Sequence, residues 1–247
     1  MRIPVIHGVI DRRILANFRV HLNVLAHVLP PPFRPQVVNG FGMAGICLIR
    51  LKGIHPRFLP WFVGISSENA AHRIAVEWDA DGEVHSGVFV PRRDTSSWLT
   101  AFGGGRLFPG EQNRAHFDVR EDERHFHIAM DSRDGSTRLA VEGEITSDLP
   151  SDSVFSSVDE ASRFFASGSL GYSPNASTGH FDGLELCAHN WSVEPLAINR
   201  LESSFFDDRQ VFPPGSVAFD NALLMRGIDH EWHGRGSLPG NSNSVPN

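Results

Sequence analysis

Alternation of apolar and polar residues dominates this chain. In "AAHRIAVEWDADGEVHSGVFVP", Ile74, Val76 and Trp78 alternate with polar residues, "DADG" turns the chain, and Val88 and Val90 resume the pattern, which predicts a hairpin. "QVVNGFGMAGICLIRLKGI" reads as two strands around an Asn39-Gly40 turn, the second glycine-rich enough for close backbone or ligand approach. "RAHFDVRE", "RHFHIAMD" and "TRLAVEGEI" predict a meander, and further strands lie near "LELCAHNW", "EPLAINRLESSFF" and "SVAFDNALLMRGI". Helical spacing is confined to short stretches. Leu22, Leu25, Ala26, Val28 and Leu29 share one face before three prolines end the run, and "DTSSWLTAFGGGRLF" reads as a short helix ended by glycine. In "SSVDEASRFFASG", Ser157 and Glu160 make a capping box and Gly168 a stop. The fold class expected is mainly β with few short helices: an antiparallel, cone-like or closed sheet, because closure removes exposed edges. Such a sheet encloses a cavity of the kind that takes small molecules. One domain is expected over residues 1–235. The Gly/Ser/Asn/Pro-rich residues 236–247 read as a disordered tail.

Composition narrows the function. The 247 residues are 40% hydrophobic with a formal net charge of -7, without the basic footprint of a nucleic-acid binder. Lys52 is the single lysine among 22 Lys+Arg, so any lysine-dependent chemistry is testable at one position. Cys47 and Cys187 stand far apart with no CxxC, the pattern of reduced thiols in a cytosolic protein. The start "MRIPVIHG" is too short and interrupted for a signal peptide, and no apolar run reaches the ~18 residues of a membrane span. A cytoplasmic location follows, and the sequons at Asn175 and Asn190 read as chance matches.

Several chemistries can be weighed by motif. The glycines of "GGGRLFPGE" (103–111) lack the lysine of a Walker loop and sit at a helix end, where the dipole disfavours phosphate. His125 and His127 share a strand face, and His230 and His233 form an i, i+3 pair if helical. Neither pair has a third ligand by local spacing, so no metal is expected. No GxSxG elbow supports a serine hydrolase. More suggestive is "ISSENAAHRI", which packs Glu68, Asn69, His72 and Arg73 at the mouth of a strand. The corner "PRRD" ends the return strand with Arg92 and Arg93. In a closed sheet, alternate members of these clusters point inward. Glu68 is expected to face the cavity with Arg93 or Arg106 in reach.

The ordered series "RRILANFRVHLNVLAHVLPPPFRPQVVNGFGMAGICLIRLKGI", "SSENAAHRIAVEW" and "GVFVPRRDTSSWLTAFGGGRLFPGE" resembles the YqjF-like branch of the acetoacetate decarboxylase-like superfamily, over roughly residues 10 to 230. The resemblance implies a mainly antiparallel β cone around a small-molecule pocket. In true acetoacetate decarboxylases a lysine forms a Schiff base with a β-keto acid, assisted by an arginine and a glutamate. The glutamate position resembles Glu68 and the arginine lies near Arg12 or Arg13, while Gly110 and Glu111 stand where the lysines would be. Two function classes remain. One is a lysine-independent enzyme on a small carbonyl or carboxylate compound, with Glu68 as acid or base and Arg73, Arg93 or Arg106 holding an anion. The other is a non-catalytic pocket for a small apolar or anionic ligand. Direct Schiff-base decarboxylation is the weaker reading. No cofactor is implied; the partner expected is a small molecule, not nucleic acid or membrane, with homo-oligomerisation left open.

Overall fold

The 15-residue strand β1 (Ile6–Val20) lies at the centre of the sheet, paired on both edges with β4 (Phe41–Pro56) and β13 (Val217–Pro239). In the computed structural model, which describes residues 4–98, 110–175 and 177–240, the order of elements places α1 (Leu22–Val28) and the short strands β2 (Arg34–Pro35) and β3 (Val37–Val38) between β1 and β4. A 3-10 turn (Trp61–Val63), β5 (Ile65–Ala80) and β6 (Glu83–Thr95) follow, then the meander β7 (Asn113–Glu121), β8 (His125–Ser132) and β9 (Arg138–Ile145). The chain ends through α2 (Val158–Ser167), β10 (Leu170–Asn175), β11 (His180–Ala188), β12 (Glu194–Ser203) and β13. The turns into β4 and β6 use Asn39-Gly40 (φ 47 and 84) and Asp81-Gly82 (φ 51 and 81). These left-handed pairs match the twist of the strands they join.

All thirteen described strands belong to one sheet. β11 pairs with β13 and β5 with β6, so β13, β1, β4, β5, β6, β10 and β11 close into a ring; β7, β8, β9 and β12 span from β6 back to β13. The sheet is mixed, not wholly antiparallel. β10 runs parallel to β6 at Gly171–Val88 and Tyr172–Phe89, and β7 runs parallel to β6 at Asp94–Asn113 and Thr95–Arg114. Parallel neighbours cannot be joined by a tight turn, which is why no hairpin connects either pair.

The shared strands bury both faces. One carries Ile14, Ile46, Leu48 and Ile74 against Ile128, Met130 and Val141 of the meander. The other carries Leu15, Met43, Cys47 and Ala75 against Phe155 and against Ala161 and Phe165 of α2. α2 starts where the capping residues predict: Ser157 Oγ accepts the Glu160 N–H at 3.2 Å, and Glu160 reaches back to the Ser156 N–H at 2.7 Å.

Three expectations need correction or placement. β13 continues through "HEWH" as extended chain, so His230 and His233 fall on opposite faces and form no helical pair. It runs on to Pro239, beyond the expected domain end at 235, because Leu238 pairs with Phe181 of β11 and packs on the core. Residues 99–108 of the helix expected in "DTSSWLTAFGGGRLF", Arg106 among them, lie outside the described residues, and its Asp94 and Thr95 belong to β6. No helix of the described residues is long and apolar enough to cross a membrane.

Candidate functional site

The parity of one sheet face assembles the site. Side chains alternate along a strand, and residues paired across neighbouring strands share a face. Arg13 pairs with Ile49, Leu15 with Cys47, Gly45 with Arg73, Cys47 with Ala71, and Ala71 with Arg93. Arg13, Cys47, Arg73 and Arg93 therefore come from four adjacent strands to one face. A register shift opposite His72 and Ile74 changes the parity of β6, so that Val88, Val90 and Arg93 all face the same cavity. That cavity holds about 130 Å³ inside the ring, walled by Ile49, Ile54, Leu184 and Leu186 and bordered by Phe165, Trp191 and Trp232. It is close in size to the ~150 Å³ space that accepts a benzene-sized ring.

Its charged lining is mostly basic: Arg13, Arg73 and Arg93 stand beside one acidic residue, Asp94, whose carboxylate is held by Arg92. Arg73 is 6% exposed; one Nη donates to Asn17 Oδ1, its guanidinium lies 4.8 Å from the Phe165 ring centroid, and its Nε has no partner. Asn17 is held by its own amide donating to Asn221 Oδ1 at 2.8 Å, which fixes the oxygen that Arg73 uses. Arg93 Nε donates to Ser173 Oγ at 3.0 Å, and Arg13 Nε donates to Cys47 Sγ at 3.3 Å with its guanidinium 5.9 Å from Trp191. Among the described residues, none of the three guanidiniums is ion-paired to a carboxylate. Burial pushes Arg73 and Arg93 each down to about 10, so both stay cationic at neutral pH. Arg73 is buried and Arg13 and Arg93 are half-buried; a buried cation without counter-charge is costly, and a small anion entering the cavity would supply it. Asn69 also lines the cavity, but its amide donates to Ile49 O (3.2 Å) and Ser67 Oγ (2.9 Å), bracing β4 and β5.

Glu68 does not face this cavity. It lies on the opposite face of β5 from Ser67 and Asn69, where Arg12 Nη2 (2.6 Å) and Arg50 Nε (2.5 Å) bind its carboxylate. Arg12 and Arg50 also hold Glu121, at 2.7 and 2.6 Å, and Asp11 joins Arg50 to Lys52. The expected Glu68–Arg93 pair across the mouth is thus corrected: a strand cannot turn two adjacent side chains inward, and the register gives the inward place to Asn69. The same parity separates Arg12, in the ion network, from Arg13, in the cavity.

Lys52 is 56% exposed and bound to Asp11 at 2.8 Å, away from the cavity. Gly110, where the resemblance puts a lysine, has φ 77, and a Cβ there would lie 2.6 Å from the Ser173 Cβ. Glu111 is exposed and lines an adjoining surface pocket with Arg92, Arg93 and Ser173. His125 and His127 bind Asp122 and Glu142, and among the described residues no three His, Cys, Asp or Glu side chains gather as a metal site. Sequence reading missed Cys47 and Trp191 as cavity residues, and Ser173 as the partner of Arg93. Alternation along "GICLIRL" would have grouped Cys47 with Ile49, but no local signal joins them to Ser173 or Trp191.

The solved structures that share this fold agree with the closed-sheet reading. An acetoacetate decarboxylase from Legionella pneumophila subsp. pneumophila str. Philadelphia 1 is 12% identical with a TM-score of 0.56, covering 96% of this chain and 86% of its own. The enduracididine biosynthesis enzyme MppR, solved in complex with pyruvate, is 10% identical with a TM-score of 0.59, covering 96% and 90%. Both likenesses are of fold. No curated protein matches the sequence. The model of one family, DUF2071, described as "Uncharacterized conserved protein (COG2071)", matches residues 10–222, and with that span of alternating strands around the arginine-lined cavity the chain belongs to this family.

Proposed function

We propose that the protein binds a small organic carboxylate, of the 2-oxo acid class, in the cavity of Arg13, Arg73 and Arg93, without forming a Schiff base. The observation that carries this reading is three arginines lining one mainly apolar cavity with no carboxylate paired to their guanidiniums. Planar guanidinium donors match a carboxylate, and a buried site strengthens the pairing. The cavity volume suits a ligand the size of pyruvate, which the structural neighbour MppR carries. Lysine chemistry is disfavoured because the single lysine is tied to Asp11 outside the ring. Acid–base catalysis by Glu68 is disfavoured because its carboxylate is occupied by two arginines on the far face. Binding is therefore the better supported of the two classes.

Calorimetric titration tests this. Pyruvate should bind, and both Arg73→Gln and Arg93→Gln should weaken it by about tenfold or more, since a lost charge-assisted bond is worth about 1.5–3 kcal/mol. Acetone, which lacks the carboxylate, should not bind. Equal binding of acetone and pyruvate, or a borohydride-trapped pyruvate adduct on Lys52, would overturn the proposal.

A further inference from the structure

We infer that Cys47 is a nucleophilic site within the cavity, which captures the carbonyl carbon of a bound 2-oxo acid as a reversible hemithioketal. The inference rests on the carboxylate reading above and adds a covalent step to it. Cys47 is 7% exposed and lines the cavity itself. Its sulfur receives the Arg13 Nε–H at 3.3 Å. On β4 it stands between β1 and β5, diagonal to Arg13 on one side and to Arg73 on the other, with Arg93 one strand further along the same face. A second, independent observation points to a ligand here: Arg73 is more than nine-tenths buried and lines the cavity with its Nε unpartnered.

The step balances without a further reactant. The Cys47 S–C bond forms at the ketone carbon, the C=O π bond breaks, and the thiol proton ends on the former carbonyl oxygen. Nothing leaves and nothing is oxidised. The guanidinium donors that hold the carboxylate also face the oxygen on which negative charge develops, the arrangement that stabilises an oxyanion. Cys187 offers a comparison within the same molecule. It lies outside this cavity, and burial together with the nearby Glu185 pushes its thiol up.

Alkylation by iodoacetate and iodoacetamide, read by peptide mass spectrometry, tests the site. Iodoacetate should modify Cys47 about tenfold or more faster than it modifies Cys187, as a cationic cleft concentrates an anion. Iodoacetamide should show no such preference, and pyruvate should protect Cys47 alone. The carbon spectrum of 2-¹³C-pyruvate with the intact protein should gain a tetrahedral carbon signal that Cys47→Ala abolishes. Persistence of that signal in Cys47→Ala would overturn the inference. So would its absence from the wild type when calorimetry shows pyruvate bound, and in that case the carboxylate reading survives. If pyruvate does not bind and iodoacetate shows no preference for Cys47, the carboxylate reading falls and the capture step falls with it.

Discussion

Glu68 and Asn69 are neighbours in sequence with opposite duties. The Glu68 carboxylate joins Arg12 of β1 to Arg50 of β4, while the Asn69 side chain looks into the cavity. Arg12 is 2% exposed and keeps Glu121 when Glu68 is neutralised, so the loss is partial. Glu68→Gln should lower stability by about 2 kcal/mol, below the cost of fully orphaning a buried charge. Pyruvate affinity should be unchanged, since Glu68 lies behind the wall. A stability curve and a titration on the same variant separate the two effects, and lost affinity with unchanged stability would contradict this placement.

Among the elements, the contact of β1 with β4 matters most because it sets the spacing of Arg13, Cys47 and Arg73. Gly45 permits it. A Cβ at Gly45 would lie 2.6 Å from the Ala16 carbonyl oxygen and 3.2 Å from Asn17 Oδ1, the acceptor of Arg73. Both strands are fixed by other pairs on either side, so neither can move away freely. Gly45→Ala should cost about 1–3 kcal/mol, as for other overpacking changes, and should weaken pyruvate binding by shifting Asn17. Urea denaturation and calorimetry measure the two outcomes.

At the scale of the whole molecule, buried histidines tie stability to pH. His72 is fully buried against Phe205 and Phe206, and His230 is fully buried beside Trp232. Burial lowers each from 6.5 to about 4, with Arg92 adding to the effect at His72. The unfolded chain takes up protons below about pH 6.5 while the folded chain does not until about pH 4, so stability falls as pH drops through this window. Each histidine accounts for about 3 kcal/mol of that fall once both states are titrated. Urea midpoints measured from pH 7 to pH 4.5 should decline, and His72→Phe should flatten the decline. An equal slope in wild type and variant would refute the assignment to His72.

Local chemistry determined many of the elements, though not the central strand β1 or β10. The period-2 runs of β5 and β6, the Asn39-Gly40 and Asp81-Gly82 turns, the meander and the Ser157 cap each depend on residues within a few positions of one another, and the folded chain follows them. The closed, strand-rich class followed too, because so many alternating strands have no other economical way to hide their edges. Tertiary structure decided what local pattern cannot carry. A one-residue change of register exchanges the two faces of a strand, so whether Glu68 or Asn69, Arg12 or Arg13 turns inward depended on pairings between strands far apart in the chain. The shift in β6 that brings Arg93 to the cavity, and the contact of β10 that brings Ser173 to Arg93 across 80 positions, are likewise long-range. The sequence by itself determined that arginines, a thiol and no well-placed lysine were available; only the closure of the ring decided which of them share a cavity.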